Sequence, residues 1–181
     1  MQNDRLTLAA ILCIVRATLS LLLASLVSRL AVQTGFGPKL ITALLTLIGF
    51  LLFAFIFFTL KQLLNERYAF HKTDLTIIGL IGLSGLAAFI SVSSLLFTGG
   101  IATDTTLLKL VYAAFGLLLI GFAIQLMRLD DNLFGFQKPY SFLTAAAGVG
   151  IASIKFAGVG VIFGAIADII LAVIFIKSGR Q

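Results

Sequence analysis

Long apolar stretches follow one another along the chain, with only short polar segments between them. Residues 40–60 and 75–97, for example, contain no charged residue. A stretch of about 20 apolar residues is what an α-helix needs to cross the hydrocarbon core of a bilayer. Because a helix satisfies its own backbone hydrogen bonds, it is one of the few structures that lipid tolerates. The pattern therefore predicts an all-α integral membrane protein.

The overall composition agrees with this prediction. Hydrophobic residues make up 60% of the chain and charged residues only 11%, and the mean hydropathy is +1.16. In soluble domains roughly a quarter of the residues are charged. The apolar stretches take up most of the 181 residues, so no separate soluble domain has room. We predict a single multi-pass transmembrane domain over residues 1–181.

The apolar stretches predict a bundle of six transmembrane helices. The predicted spans are residues 6–31, 40–60, 75–97, 107–127, 142–156 and 159–176. The last two come from one run, 142–176, which as a single helix would be far longer than the roughly 30 Å hydrocarbon core. Lys155 and the small residues after it divide this run. The alternative is an interfacial helix followed by one span, which gives five crossings.

The distribution of basic residues favours six spans. Cytoplasmic loops carry the excess of lysine and arginine, and with six spans one face has twice as many as the other. The richer face holds Arg5, Lys61, Arg67, Lys72, Arg128, Lys138, Lys177 and Arg180, and the poorer face holds Arg29, Lys39, Lys109 and Lys155. Five spans reduce this bias. We therefore predict a protein of the cell membrane with both termini in the cytoplasm.

The same basic residues indicate what the surface meets. The net charge is +6, but the positive residues are spread over the segments next to the membrane without forming a cluster. Attraction to anionic lipid headgroups at the cytoplasmic face explains such a distribution, at about 1 kcal/mol per basic residue. The predicted partner is therefore the lipid bilayer, and no nucleic acid is expected.

Two polar segments resemble each other. "KQLLNERYAFHKTD" and "QLMRLDDNLFGFQKPYS" share a glutamine-leucine start and a "FHK"/"FQK" match, and each precedes a helix with small residues. This similarity suggests duplication of a two-helix unit. The alternative is that two segments at the same membrane face converged on similar residues.

Two charges lie inside the predicted spans. Arg16 and Asp168 both lie about 14 to 16 Å from the cytoplasmic ends of their helices at 1.5 Å per residue. An unpaired charge at this depth costs about 2.5 to 3.5 kcal/mol. We predict that Arg16 and Asp168 form an intramembrane polar contact. The alternatives are that Lys155 is the partner of Asp168, or that Asp168 is protonated and hydrogen-bonded to a carbonyl or a serine.

Small residues mark the face of the helix that carries this aspartate. Gly160, Gly164 and Asp168 recur every four residues, so they share one helix face. Small residues at this spacing allow two helices to approach closely in lipid. We predict that Gly160 and Gly164 form a helix-packing face.

A stripe of hydroxyl residues runs along the third predicted span. Ser84, Ser91 and Ser94, with Thr98 beyond them, lie on one side of the helix. Serines in transmembrane helices usually bond to a carbonyl of their own helix or to a neighbouring helix. The stripe is therefore either a helix contact or the lining of a polar path.

Residues for a cofactor or a catalytic site are scarce. The chain has one cysteine, Cys13, and one histidine, His71, which is too few for a Cys/His zinc cluster, a bis-histidine haem or a thiol redox pair. Asp130 and Asp131 are adjacent carboxylates in a polar segment, where solvation is the ordinary state. We predict no metal, no cofactor and no enzymatic activity.

The remaining classes are assembly and transport. Short loops and glycine-rich faces favour an accessory or structural subunit of a membrane complex, or a homo-oligomer, and this is the first expectation. The alternative is a small transporter or channel in which Arg16 and Asp168 are the intramembrane charges. A cavity that is connected to one aqueous face and lined by Arg16, Asp168 or Ser91 favours transport. A dry bundle with an exposed small-residue face favours assembly.

Overall fold

The computed structural model describes residues 2–30, 36–97, 106–129 and 133–180, and within these ranges it contains helices but no strand. Six α-helices follow one another along the chain. They are α1 (Gln2–Leu30), α2 (Phe36–Tyr68), α3 (Asp74–Phe97), α4 (Thr106–Met127), α5 (Gln137–Ala152) and α6 (Ala157–Gly179). The predicted all-α fold with six helices is confirmed.

Five of the helices, all except α5, are long and apolar enough to cross a membrane. Their outer surfaces carry large apolar side chains, which in water would be an aggregation hazard. Leu51, Phe89 and Leu117, for example, are 63%, 69% and 64% exposed. Lipid tails are the solvent that such a surface fits, so the chain has the structure of a multi-pass membrane protein.

The helices form a closed ring in which each packs antiparallel against the next. Each helix contacts its neighbours in sequence, and α6 returns to contact α1. At this closing contact a Cβ atom on Gly179, near the end of α6, would lie 3.7 Å from the Cβ of Leu6, near the start of α1. The two termini therefore lie at the same end of the bundle.

The shortest helix, α5, runs lengthwise between α4 and α6. Its 16 residues give a length of about 24 Å at 1.5 Å per residue, somewhat less than a hydrocarbon core. At one end Gln137 Nε2 donates hydrogen bonds to the carbonyl oxygens of Leu126 and Leu129, with donor–acceptor distances of 2.8 and 2.9 Å. At the other end Gly150 touches Gly160. α5 is thus one of the helices of the bundle, and its crossing of the membrane as a sixth span stays a prediction.

Two predicted boundaries were wrong. The second span continues from residue 60 to Tyr68, because "KQLLNERY" contains neither glycine nor proline and its Leu63 and Leu64 are buried. The fifth span lies at Gln137–Ala152 instead of 142–156, so its polar start was read as a loop. The break near Lys155 is confirmed as a turn over residues 153–156.

The two similar polar segments both contain a short 3-10 helix, His71–Thr73 in one and Leu133–Gly135 in the other. The helices that follow differ in length, with 24 residues in α3 and 16 in α5. Duplication of a two-helix unit stays a prediction.

The interior of the ring is filled unevenly along its length. We call the half between Arg16 and the termini the closed half, and the half beyond Arg16 the open half. The largest fully buried side chains all lie in the closed half or its connections: Phe122, Phe175, Ile56, Leu60, Leu64, Ile77, Leu80, Leu126, Leu133, Leu171, Ile174 and Thr73. Among the described residues, the buried apolar cluster of the open half contains only Ala87, Leu108 and Val111.

Aromatic rings from three helices fill the centre of the closed half. Phe57 stacks on Phe53 with ring centroids 4.3 Å apart. Phe122 contacts Phe57 at 5.7 Å, and Tyr140 meets the edge of Phe122 at 6.5 Å. Side chains of this size reach across the ring, so the closed half has a continuous core.

Candidate functional site: a polar chamber in the open half

Arg16 and Asp168 form an ion pair between α1 and α6. Nη2 of Arg16 donates a hydrogen bond to Oδ1 of Asp168, and Asp168 is only 3% exposed. The Arg16 guanidinium also lies over the ring of Phe53, 4.9 Å from its centroid. The structure thus brings together the two charges that the sequence analysis paired. Lys155, the alternative partner, lies exposed in the turn before α6.

The ion pair lies at the boundary between the two halves. On its side toward the termini lie Cys13 and Tyr140, which are 0% and 2% exposed, and Tyr140 lines the second cavity together with both charges. Because α1 and α6 are antiparallel, a residue in the middle of one lies beside the middle of the other. Both charges therefore sit at mid-depth in the bundle, where the low dielectric makes pairing necessary.

Three adjoining cavities begin at the ion pair and continue into the open half, and we call them together the chamber; the second also touches Phe57 and Tyr140 of the closed half. Their volumes are about 240, 150 and 530 Å³, and we number them first, second and third in that order. Ser20 and Phe115 line all three. Sites for small molecules in proteins typically have about 300 to 1,000 Å³, so the chamber has the size of a ligand site.

The chamber extends from the ion pair toward the end of the bundle opposite the termini. Arg16 lines the first and second cavities, and Asp168 lines the second. The third cavity reaches Ala24 of α1, Gly158 of α6 and Ile154 in the turn between α5 and α6. The ion pair and the aromatic core behind it form the floor of the chamber.

The predicted serine stripe is divided by the structure. Ser84 and Ser91 line the first cavity, whereas Ser94 lines none of the three cavities. Thr98 lies outside the described residues. Within the described part of the chain, neither Ser84 nor Ser91 has a hydrogen-bond partner. By contrast, the hydroxyls of Ser20 and Thr46 in the same cavity donate to carbonyls of their own helices.

The predicted packing face contacts α5 within the chain. A Cβ atom on Gly160 would lie 2.9 Å from the carbonyl oxygen of Ala147 and 2.8 Å from the amide nitrogen of Ile151. A Cβ atom on Gly164 would lie 3.9 Å from the Cβ of Ala147, and Gly164 also lines the second cavity. The small residues thus allow the close α5–α6 contact and are covered by it.

Sequence reasoning missed an even closer contact between α4 and α5. A Cβ atom on Gly116 would lie 2.5 Å from the carbonyl oxygen of Gly148 and 2.6 Å from the amide nitrogen of Ala152. The small-residue run "TAAAGVG" in α5 was the available signal, but nothing in the sequence identified α4 as the partner. Phe53 beneath Arg16 was also missed, since one phenylalanine among 17 gives no signal.

No group of three potential metal-ligating residues occurs within the described ranges, and Asp130 and Asp131 lie outside them. His71 is exposed near the bundle end that holds the termini, with Nδ1 3.5 Å from Oδ2 of Asp74. The chain matches no protein-family model, no curated protein and no solved structure. Any functional conclusion therefore rests on the chamber itself.

Proposed function

We propose that the protein is a non-enzymatic solute-binding or transport protein of the membrane, and that its solute occupies the chamber. The observation that carries this proposal is a chamber inside a ring of membrane helices, with Arg16, Ser84 and Ser91 lining its first cavity and Arg16 and Asp168 lining its second. Ionisable residues at this depth are costly and are usually found where a solute or ion passes. Of the two functions expected from the sequence, the chamber favours the transport alternative.

The same structure weakens the argument for an assembly subunit. That function relied on small-residue faces that are free to bind a partner. Gly160 and Gly164 are instead used in the α5–α6 contact, and Gly116 is used in the α4–α5 contact. Assembly remains the competing proposal.

The orientation in the membrane is part of the proposal. The excess of basic residues at the end that holds the termini favours placing this end in the cytoplasm. The chamber then opens toward the outside, and α5 serves as a sixth crossing helix. The aromatic core of the closed half separates the chamber from the cytoplasm.

Labelling of an introduced thiol tests whether water reaches the chamber. Cys13 is the chain's one cysteine, so Cys13→Ala gives a thiol-free background to which Ser91→Cys is added. Phe89→Cys is the control, because Phe89 lies two residues away at nearly the same depth and is 69% exposed on the outer surface. Both variants are treated in membrane vesicles with a charged methanethiosulfonate, which reacts with thiols that water can reach.

We expect Ser91→Cys to react and Phe89→Cys to stay unlabelled, since lipid covers the outer surface. If Ser91→Cys is as unreactive as Phe89→Cys, the chamber is closed to water and the transport proposal is wrong. The assembly proposal would then be preferred.

A further inference from the structure

The two charged groups of the ion pair do not line the same cavities of the chamber. Arg16 lines both the first and the second cavity, whereas Asp168 lines only the second. A molecule in the first cavity therefore meets the guanidinium, with the carboxylate on its far side. Since the nearer charge dominates at short range, the first cavity presents a positive wall.

The Arg16 guanidinium is held in place and has N–H groups that the ion pair does not use. It has five N–H groups, and the ion pair uses one Nη2 bond to Asp168. Nε is buried and has no acceptor among the described residues, so the donors left for a solute are those of the two Nη atoms. The ring of Phe53 supports one face of the planar group. A fixed guanidinium with unused donors suits a carboxylate or sulfonate, which accept two parallel hydrogen bonds.

Two further donors stand across the ring from Arg16. α3 carries Ser84 and Ser91, seven residues apart and so on one face, and both line the first cavity. Their hydroxyls are not used by the helix backbone, in contrast to that of Thr46. An anion bound at Arg16 would thus find hydroxyl donors on the opposite wall.

The rest of the first cavity is apolar and largely aromatic. Phe50, Phe53 and Phe115 contribute rings to its wall, and Tyr112 lines both this cavity and the third. Such a wall adds nothing to the binding of a small inorganic ion, which loses hydration there. It suits a solute that has an apolar body next to its charged group.

Among the described side chains, the charged ones around the chamber end of the bundle are lysines. Lys39 and Lys109 lie in the first turns of α2 and α4, and Lys155 lies in the turn before α6. Among the described residues the other carboxylates, Asp4, Glu66 and Asp74, all lie at the end that holds the termini. A positive rim raises the local concentration of anions.

We propose that the chamber selects an organic anion, with a carboxylate or sulfonate bound by Arg16 together with Ser84 or Ser91 and an apolar body held by the aromatic wall. In this site Asp168 is a positioning residue, which fixes the guanidinium without touching the solute. The inference rests on the proposed function, because it needs a chamber that water reaches.

Two thiol reagents of opposite charge test the selection. Thr46→Cys in the Cys13→Ala background places the thiol in the first cavity and leaves Ser84 and Ser91 intact. The ethylsulfonate and the trimethylammonium-ethyl methanethiosulfonates are applied separately, and each rate is divided by the reagent's rate with 2-mercaptoethanol. We expect the normalised rate to be about tenfold higher for the sulfonate, as for a site with a field of one sign.

Neutralising the pair provides the control. Arg16→Gln combined with Asp168→Asn removes both charges without leaving either one alone, and should bring the two normalised rates together. Arg16→Lys keeps the charge and should keep the preference. If the normalised sulfonate rate at Thr46→Cys is equal to or below the trimethylammonium rate, the anion proposal is wrong, while the proposal of a water-filled chamber is unaffected. If neither reagent reacts at Thr46→Cys, the proposed function fails instead.

Protection from labelling tests the apolar body. Benzoate and acetate both carry a carboxylate, but only benzoate has an aromatic ring. If the aromatic wall binds the apolar body of the solute, benzoate should slow the labelling of Thr46→Cys more than acetate does at equal concentration. We expect slowing by benzoate and little by acetate. Equal slowing, or none by benzoate, would contradict the assigned solute class.

Discussion

The same six helices build two halves with different interiors. In the closed half, large side chains such as Phe122, Leu64 and Ile174 meet in the centre of the ring and are 0% exposed. In the open half the buried cluster is small, and the centre holds cavities of about 240 and 530 Å³. A ring of helices therefore does not by itself determine whether it encloses a core or a chamber. The side chains that point inward decide this, and the Arg16–Asp168 pair marks the change.

The variant with the largest expected effect tests whether the helices that enclose the open half are loosely packed against one another. Gly116→Val should prevent stable folding, a loss beyond about 4 kcal/mol, because the new Cβ meets backbone atoms at 2.5 and 2.6 Å and backbone cannot rotate away. Gly121→Val on the same helix is the control, since a Cβ there meets nothing within 4 Å. Thermal unfolding in detergent measures both. A mild effect of Gly116→Val would mean that α4 and α5 are not in tight contact.

The next effect concerns the boundary between the halves. Asp168→Ala leaves the Arg16 guanidinium without its counter-charge and should destabilise the protein by about 3 to 5 kcal/mol. Arg16→Ala should cost a similar amount, and the double alanine variant should recover much of the loss. The reversed pair, Arg16→Asp with Asp168→Arg, tests the pairing by charge alone. If the single variants melt like the parent, the ion pair does not stabilise the fold.

A smaller effect compares one phenylalanine from each half. Phe122→Ala removes a ring that is 0% exposed and should cost about 3 kcal/mol through lost packing and the cavity left behind. Phe50→Ala removes a ring from the chamber wall, where a cavity already exists, and should cost about 1 kcal/mol or less. Unfolding temperatures in the same detergent give the comparison. Equal losses would contradict the division into a filled half and an open half.

The smallest effect on stability is expected at the far end of the third cavity from the ion pair. Gly158 lines the third cavity, and a Cβ there meets nothing within 4 Å. Gly158→Phe should change stability by less than about 0.5 kcal/mol but slow the labelling of Thr46→Cys by obstructing the way in. Gly82→Phe, at a similarly open position of α3 outside the three cavities, should leave the labelling rate unchanged. If Thr46→Cys is labelled at the same rate with and without Gly158→Phe, the entrance to the chamber lies elsewhere.

Much of the fold could be predicted from the sequence because lipid imposes strict rules on it. Apolar length identified the helices, and Lys155 located the break between α5 and α6. The error at the end of α2 has a physical cause: "KQLLNERY" is polar but strongly helix-forming, so the helix continues past the point where the apolar stretch ends. Polarity marks where a helix leaves lipid, and it does not mark where the helix stops.

The site was only half predictable. Arg16 and Asp168 stood out because an ionised group in an apolar stretch requires a partner, and equal depth suggested which one. The chamber gave no comparable signal, since its existence depends on which side chains fail to meet across the ring. Ser84 and Ser91 were noticed as a stripe, but only the packing of α3 separates them from Ser94. Contacts across a ring join residues far apart in sequence, and no local pattern encodes them.

A cysteine scan along α2 tests the central claim most directly, because this helix borders both halves. In the Cys13→Ala background, single cysteines replace Thr46 and Gly49, which line the first cavity, and Ile56 and Leu60, which are 0% and 1% exposed in the closed half. A membrane-impermeant methanethiosulfonate is applied from the outside of intact cells. We predict that Thr46→Cys and Gly49→Cys are labelled and that Ile56→Cys and Leu60→Cys are not. Labelling of all four, or of none, would contradict a chamber that ends at the Arg16–Asp168 pair.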